Sequence, residues 1–83
     1  MVRLNRAVAL AMAEGPERGL GLIDELDLTE LDEFHPYHAA RADLLRRAGR
    51  REEAAAAYER AIALCQNAVE RRYLEGRLAE VRA

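Results

Sequence analysis

The sequence predicts an all-α chain of five helices, and three observations carry that prediction. Strong helix formers dominate, with 17 Ala and 12 Leu among 83 residues against 5 Gly and 2 Pro. Apolar positions recur three and four apart, and no segment alternates with a period of two. Gly15-Pro16, Pro36 and Gly49 fall between the periodic stretches, where such residues stop or start helices.

The first helix is expected over residues 3–14. It ends at Gly15-Pro16, a stop signal joined to a start signal. Its Ala7–Ala13 stretch is apolar almost all round, which predicts the most buried helix of the chain. The second, over 16–26, sets Leu20, Ile23 and Leu26 on one side. The acidic stretch Asp27–Glu33 reads as a loop with Leu28 and Leu31 as weak anchors. The third helix, 36–48, opens at Pro36 and carries Tyr37, Ala40, Leu44, Leu45 and Ala48 as one stripe. The fourth, 51–65, begins with Glu52 and Glu53, whose charge suits a helix N-terminus. Ala54, Ala57, Tyr58, Ala61, Ile62 and Cys65 line its inner face. The fifth, 68–82, follows Asn67, which with Glu70 three residues on forms a capping-box-like pair. Val69, Tyr73, Leu74, Leu78 and Val81 complete it.

Size and charge exclude several classes of function. A chain of 83 residues is one small domain, and such a domain buries only roughly 60% of its unfolded surface. Most of its apolar residues are Ala or Leu, enough for a thin helical core and not for a deep catalytic cavity. With 13 basic against 15 acidic residues and a net charge of -2, it lacks the basic footprint of a nucleic-acid or anionic-membrane binder. A single Cys rules out an intrachain disulfide.

The N-terminal stretch imitates a secretory signal, with basic Arg3 and Arg6, apolar Ala7–Ala13 and an Ala11-Met12-Ala13 that mimics a cleavage site. The apolar run is at the lower limit of length and half of it is Ala, so it reads as a helix instead. No run approaches the length of a membrane span. A cytoplasmic protein is expected, which also suits one unpaired Cys.

An internal repeat organises these helices. Ala54-x-x-x-Tyr58-x-x-Ala61, preceded by Gly49 at the turn, is the second-helix pattern of a tetratricopeptide repeat. The small residues allow close helix approach and the aromatic ring fills the gap. Gly19, 35 residues before Ala54, is followed by Ile23 and Leu26 at the same offsets, and Gly76, 34 residues after Ala42, takes the small-residue slot of a first helix. The expected architecture is a tetratricopeptide-like right-handed stack of two antiparallel helix pairs plus a C-terminal closing helix, with Tyr58 buried among the third, fourth and fifth. Ile23 in place of an aromatic, Leu26 in place of a small residue and Gln66 in place of Pro depart from the pattern.

A narrower resemblance covers most of the chain. Leu4-Asn5-Arg6-Ala7-Val8-Ala9, Gly15-Pro16, Gly19-Leu20, His38-Ala39-Ala40-Arg41-Ala42-Asp43-Leu44-Leu45-Arg46-Arg47 and Glu70-Arg71-Arg72-Tyr73-Leu74 resemble the C-terminal extension of one group of extracytoplasmic-function (ECF) sigma factors. In that group a tetratricopeptide-like domain follows the two domains that bind DNA and the polymerase core. The resemblance implies that these residues are a single domain, 1–83, cut from a longer sigma factor at its N-terminal side. Promoter and polymerase contacts of the sigma domains fall on none of them. The use of Arg with no Lys fits a high-GC bacterial genome.

Other constellations read as structural. His35 and His38 lie three apart, a spacing that lets two imidazoles share a metal, but a site needs a third ligand and the soft candidate, Cys65, is far off in sequence. His35 is read as a helix-entrance residue, His38 as the ring of an interhelical slot and Cys65 as a small buried hydrophobe. No metal or cofactor is expected. No nucleophile signature or phosphate loop accompanies them, so an enzyme is not expected. Arg46, Arg47, Arg50 and Arg51 gather four cations around Gly49, which complements a helix C-terminus, and Asp43 is placed to pair with Arg47.

In a tetratricopeptide array the first helix of each pair lines the concave face. That register assigns Leu4, Val8 and Met12 to the face, with Ala39, Asp43, Arg46 and Arg47 from the third helix and Tyr73, Arg77 and Glu80 from the fifth. Asp43, Arg46, Arg47, Tyr73 and Arg77 are the candidate protein-binding residues, an Arg-lined wall suited to a carboxylate-bearing peptide. The expected function is a protein-interaction and regulatory module of an ECF sigma factor in transcription initiation. It would dock on its own sigma domains, on RNA polymerase or on a regulatory partner. The alternative is a free-standing small scaffold binding a peptide or itself. Apolar Val2, Leu4, Val8 and Met12 also suggest a homodimer through the first helix.

Overall fold

The computed structural model describes residues 2–26 and 31–83. Five helices run through them and no strand is present among them: α1 (Val2–Glu14), α2 (Pro16–Ile23), α3 (His35–Arg47), α4 (Arg51–Leu64) and α5 (Ala68–Arg82). Each helix packs chiefly on its neighbours in sequence, α1 on α2, α2 on α3, α3 on α4 and α4 on α5, with a smaller contact between α1 and α3. No helix among the described residues is long and apolar enough to cross a membrane.

The glycines at two turns explain the tight connections. Gly15 at φ 101° and Gly49 at φ 80° adopt the left-handed region that a side chain disfavours. At Gly49 the backbone closes a Schellman motif: Gly49 N donates to Arg46 O at 3.1 Å and Arg50 N to Leu45 O at 2.9 Å. Carbonyls at the end of α3 are thereby satisfied before α4 begins. Asn67 caps α5, its side chain accepting from Glu70 N at 3.0 Å.

Close approach of α1 and α2 depends on Gly19. A Cβ there would lie 2.5 Å from Ala11 Cβ and 2.7 Å from Ala7 O, so only glycine lets the helices meet. The repeat assigns Gly76 the same kind of slot, and the structure corrects this: among the described residues a Cβ at Gly76 would meet nothing within 4 Å.

The core is built from Leu4, Ala7 and Ala11 of α1, Leu20 and Ile23 of α2, Tyr37, Ala42, Leu44 and Leu45 of α3, Ala54, Ala57, Tyr58 and Ala61 of α4, and Leu74 and Val81 of α5. Tyr58 is fully buried. Helix α1 is not the most buried one among the described residues, because α2 is its main neighbour and α3 touches it less, which leaves Val8 and Met12 exposed. Helix α2 stops at Ile23 rather than Leu26. Glu25 N and Leu26 N bond three residues back, to Leu22 O and Ile23 O, which winds the last residues into a turn. Leu26 still reaches the core, as does Leu31, a firmer anchor than its acidic surroundings predict. Residues 27–30 of the expected loop, Leu28 included, lie outside the described residues.

Candidate functional site: a polar network across three helices

Asp43 sits in the third turn of α3, two positions before the buried Leu45. Tyr58, on the buried face of α4, points its hydroxyl outward along the α3 surface and donates to Asp43 Oδ1 at 2.5 Å. Arg46 Nε, one turn on from Asp43, donates to the same hydroxyl oxygen at 3.1 Å. The network continues onto α5, where Tyr73 OH lies 3.4 Å from Asp43 Oδ1 and Arg77 Nε donates to Tyr73 OH at 3.4 Å. The Arg77 guanidinium also stands 5.4 Å from the centre of the Tyr73 ring and pairs with Glu80 at 3.1 Å.

Burial and the Asp43 carboxylate both favour the neutral phenol, so the Tyr58 hydroxyl is pushed well above the ordinary tyrosine range, with Arg46 pulling the other way. The hydrogen bond from Arg77 to Tyr73 holds the Arg77 guanidinium charged above its ordinary range. Tyr58 therefore anchors Asp43 from inside, and Asp43 in turn orients the half-exposed Tyr73.

Of the five residues the sequence proposes for protein binding, Asp43, Arg46, Tyr73 and Arg77 are joined in this network. Arg47 is not. It points toward α1, where Nη1 approaches Met12 Sδ at 3.0 Å. The Asp43–Arg47 pair expected from their spacing is replaced by the approach of Arg46 to Asp43 at 4.0 Å, because the Tyr58 hydroxyl draws both groups to one side of α3. Leu4, expected on the same face, is buried in the core. The missing member was Tyr58, whose pattern in sequence marks a core ring and gives no sign of where its hydroxyl goes.

Contacts from α3 to Met12 on one side and to Tyr73 on the other place α1, α3 and α5 along one surface. Val69, Tyr73 and Arg77 follow one another at four-residue intervals on α5, and Val69 is 80% exposed. The surface thus offers apolar Val8, Met12 and Val69, one aromatic ring, and guanidinium groups.

The Arg-rich turn disperses rather than clusters. Arg50 makes a two-pronged pair with Glu53 at 2.9 Å and reaches Glu17 at 3.2 Å, which holds the Glu53 carboxyl below its ordinary range. Arg51 donates to carbonyls at the end of α5, Val81 O at 3.0 Å and Glu80 O at 3.3 Å. Arg46, Arg47, Arg50 and Arg51 point to four different sets of partners, so they form no phosphate-gripping patch.

The two histidines part company. His38 Nε2 lies 2.7 Å from Asp32 O, its ring edge-on to Tyr37. The buried interhelical ring is Tyr37, not His38. His35 instead approaches Cys65 and Glu70, and one ligand atom of each lies within 4.8 Å of the others.

Over its 83 residues the chain is 42% identical to an uncharacterized protein of Rhizobium meliloti (strain 1021), and it spans 19% of that protein's length. No protein-family model matches the chain, and no solved structure does either.

Proposed function

We propose that the chain is a tetratricopeptide-like protein-interaction module of an ECF sigma factor, regulating transcription initiation in the cytoplasm. It would act by docking on its own sigma domains, on RNA polymerase or on a regulatory partner, through the face that α1, α3 and α5 share. The observation that carries this reading is the network Asp43–Tyr58–Tyr73–Arg77 with Arg46, in which the buried Tyr58 of α4 holds side chains of α3 and α5 together on one surface. A tetratricopeptide stack is supported by three features. Neighbouring helices pack in sequence order, the odd-numbered helices meet along one side, and a buried Tyr58 stands between small Ala54 and Ala61. Membership of a longer protein is supported by the Rhizobium meliloti relative, of which these residues match about a fifth.

Tyr73 and Val69 supply apolar contact, and Arg46, Arg47 and Arg77 supply donors for carboxylates on a partner. Glu80 and Asp43 already share part of that charge, so the partner's acidic groups exchange with existing pairs rather than meet bare cations. The net benefit lies in specificity and registration more than in affinity.

The test is binding of the 83-residue chain to sigma domains encoded in its reading frame and to polymerase core, measured by calorimetry. Arg77→Glu and Tyr73→Ala should each weaken binding at least ~10-fold, about 1.4 kcal/mol, while an exposed control such as Arg72→Glu leaves it unchanged. No binding to either target, or binding indifferent to Arg77 and Tyr73, rejects the reading. Binding to a second copy of the chain alone would favour a free-standing scaffold.

A further inference from the structure

At the end of the helix stack away from the Arg51 turn, three chemically different ligands converge. His35 opens α3, Cys65 closes α4, and Glu70 lies in the first turn of α5. An imidazole nitrogen, the thiol sulfur and a carboxylate oxygen lie within 4.8 Å of one another. His35 Nδ1 faces Glu70 Oε1 at 4.0 Å, and His35 Nε2 is buried with no hydrogen-bond partner among the described residues. A buried polar nitrogen without a partner is costly, and Cys65 of the same cluster is itself only 3% exposed.

From this convergence we infer that His35, Cys65 and Glu70 form a binding site for one divalent transition-metal ion of zinc type. The donor set decides the class. One nitrogen, one sulfur and one oxygen suit a borderline ion in a tetrahedral site and do not suit magnesium or calcium, which take oxygen alone. Three protein ligands leave the fourth position to water. Bonds of about 2.0–2.3 Å set tetrahedral donors roughly 3.3–3.8 Å apart, so the ligands close by about an ångström on binding. Glu70 can supply that movement: its side chain is half exposed, and Asn67 holds its backbone rather than its carboxylate. In a capping box the Glu70 carboxylate would turn back to Asn67 N; here it lies toward His35.

Charge balance is also met. Metal binding releases the Cys65 thiol proton to solvent, and the resulting thiolate with the Glu70 carboxylate neutralises the dication. The same step ends the thiol's donation to Asn67 O, which stands at 3.2 Å. The Arg71 guanidinium is near, but it donates to Cys65 O at 2.6 Å and not to sulfur. Binding would tie the ends of α3, α4 and α5 together, and a ligand held only by the folded chain raises its stability.

Cobalt(II) and zinc(II) chloride, titrated into the chain in a non-thiol reductant, test the site. One equivalent of cobalt should bind with a thiolate charge-transfer band and the intense visible bands of tetrahedral coordination. Zinc should displace it and raise the melting temperature. Cys65→Ser should abolish the charge-transfer band. His35→Gln and Glu70→Gln should each lower zinc affinity by more than the roughly 10–100-fold that losing a group behind a ligand costs. His38→Ala should bind zinc as the parent does. A cobalt spectrum without the thiolate band overturns the proposal, as does zinc affinity that survives Glu70→Gln or falls as far with His38→Ala as with His35→Gln. Should Cys65→Ser fail to fold, the parent's cobalt spectrum and the Glu70→Gln titration still decide.

Discussion

Helices α1 and α4 are both rich in alanine, yet the fold uses them in opposite ways. In α4, alanines and Tyr58 are buried because α3 covers one side and α5 the other. In α1 the more continuous apolar run, Ala7–Ala13, buries Ala7 and Ala11 against α2 while Met12 is 68% exposed. Composition ranks α1 as the inner helix; position in the stack reverses the order. An apolar stripe is buried only where a neighbouring element exists to receive it, and a helix with one main neighbour can hide only one side.

The largest effect that separates the two helices should come from Tyr58. Tyr58→Ala removes a fully buried ring and should cost roughly 3–5 kcal/mol in chemical denaturation. An unchanged midpoint would remove α4 from its central place. Tyr58→Phe keeps the ring and deletes the hydroxyl that serves Asp43 and Arg46, at a cost of about 1–3 kcal/mol. It should also alter the response to alkali. The folded chain holds the Tyr58 proton more tightly than the unfolded chain, whose phenol titrates near 10.0. That contribution is fully present below about pH 10 and is lost progressively above it, where the unfolded state releases its proton first. Stability of the parent should therefore fall with rising pH beyond that point, and the fall should be shallower in Tyr58→Phe.

Where α1 does have a neighbour, it too should be sensitive. Gly19→Ala would press a methyl group against Ala11 Cβ and the Ala7 carbonyl, and the second of these is backbone that cannot rotate away. Separating α1 from α2 should cost about 1–3 kcal/mol, read as a lower melting temperature. A neutral result would mean that the two helices are not held this closely.

Legibility followed the range of the interactions. The five helices among the described residues, the turn glycines and the Asn67 cap are set by residues within a few positions of one another, and all are readable from spacing. The burial of Tyr58 is also readable, since the small–aromatic–small pattern lies within one helix. What spacing does not show is where long side chains end. Arg47 turns to Met12 rather than to Asp43, four positions before it, because α1 passes beside it. His35 and Cys65, 30 positions apart in sequence, meet because α3 and α4 run antiparallel from the tight turn at Gly49. Pairing the start of one helix with the end of the next was the available signal: an antiparallel hairpin brings those two ends together wherever its turn is short.

Gly76 offers a smaller test with the opposite sign. It lies within α5 with open space where a side chain would be. Gly76→Ala should therefore stabilise the chain by up to about 1 kcal/mol through helix propensity alone. A loss of stability would place another group against that side of α5 and restore the close-packing role that the repeat suggests.

The smallest effect is expected at Val8, on the face of α1 turned from α2. Val8 is 37% exposed, Met12 more so, and Leu4 of the same helix is inside the core. Replacing Val8 with a charged residue therefore removes little packing, and Val8→Arg should change the unfolding free energy by no more than about 0.5 kcal/mol, as at other surface positions. The helix itself should persist, since Arg is a good helix former. Ala7→Arg, one position away, reverses the expectation: Ala7 is fully buried, and its carbonyl lies so near Gly19 that α2 has no room there for a Cβ. It should unfold the α1–α2 contact and cost several-fold more. Circular dichroism melts of the two variants measure the contrast directly. Equal losses at Val8 and Ala7 would mean that α1 is covered on both sides, and the difference drawn between it and α4 would fall.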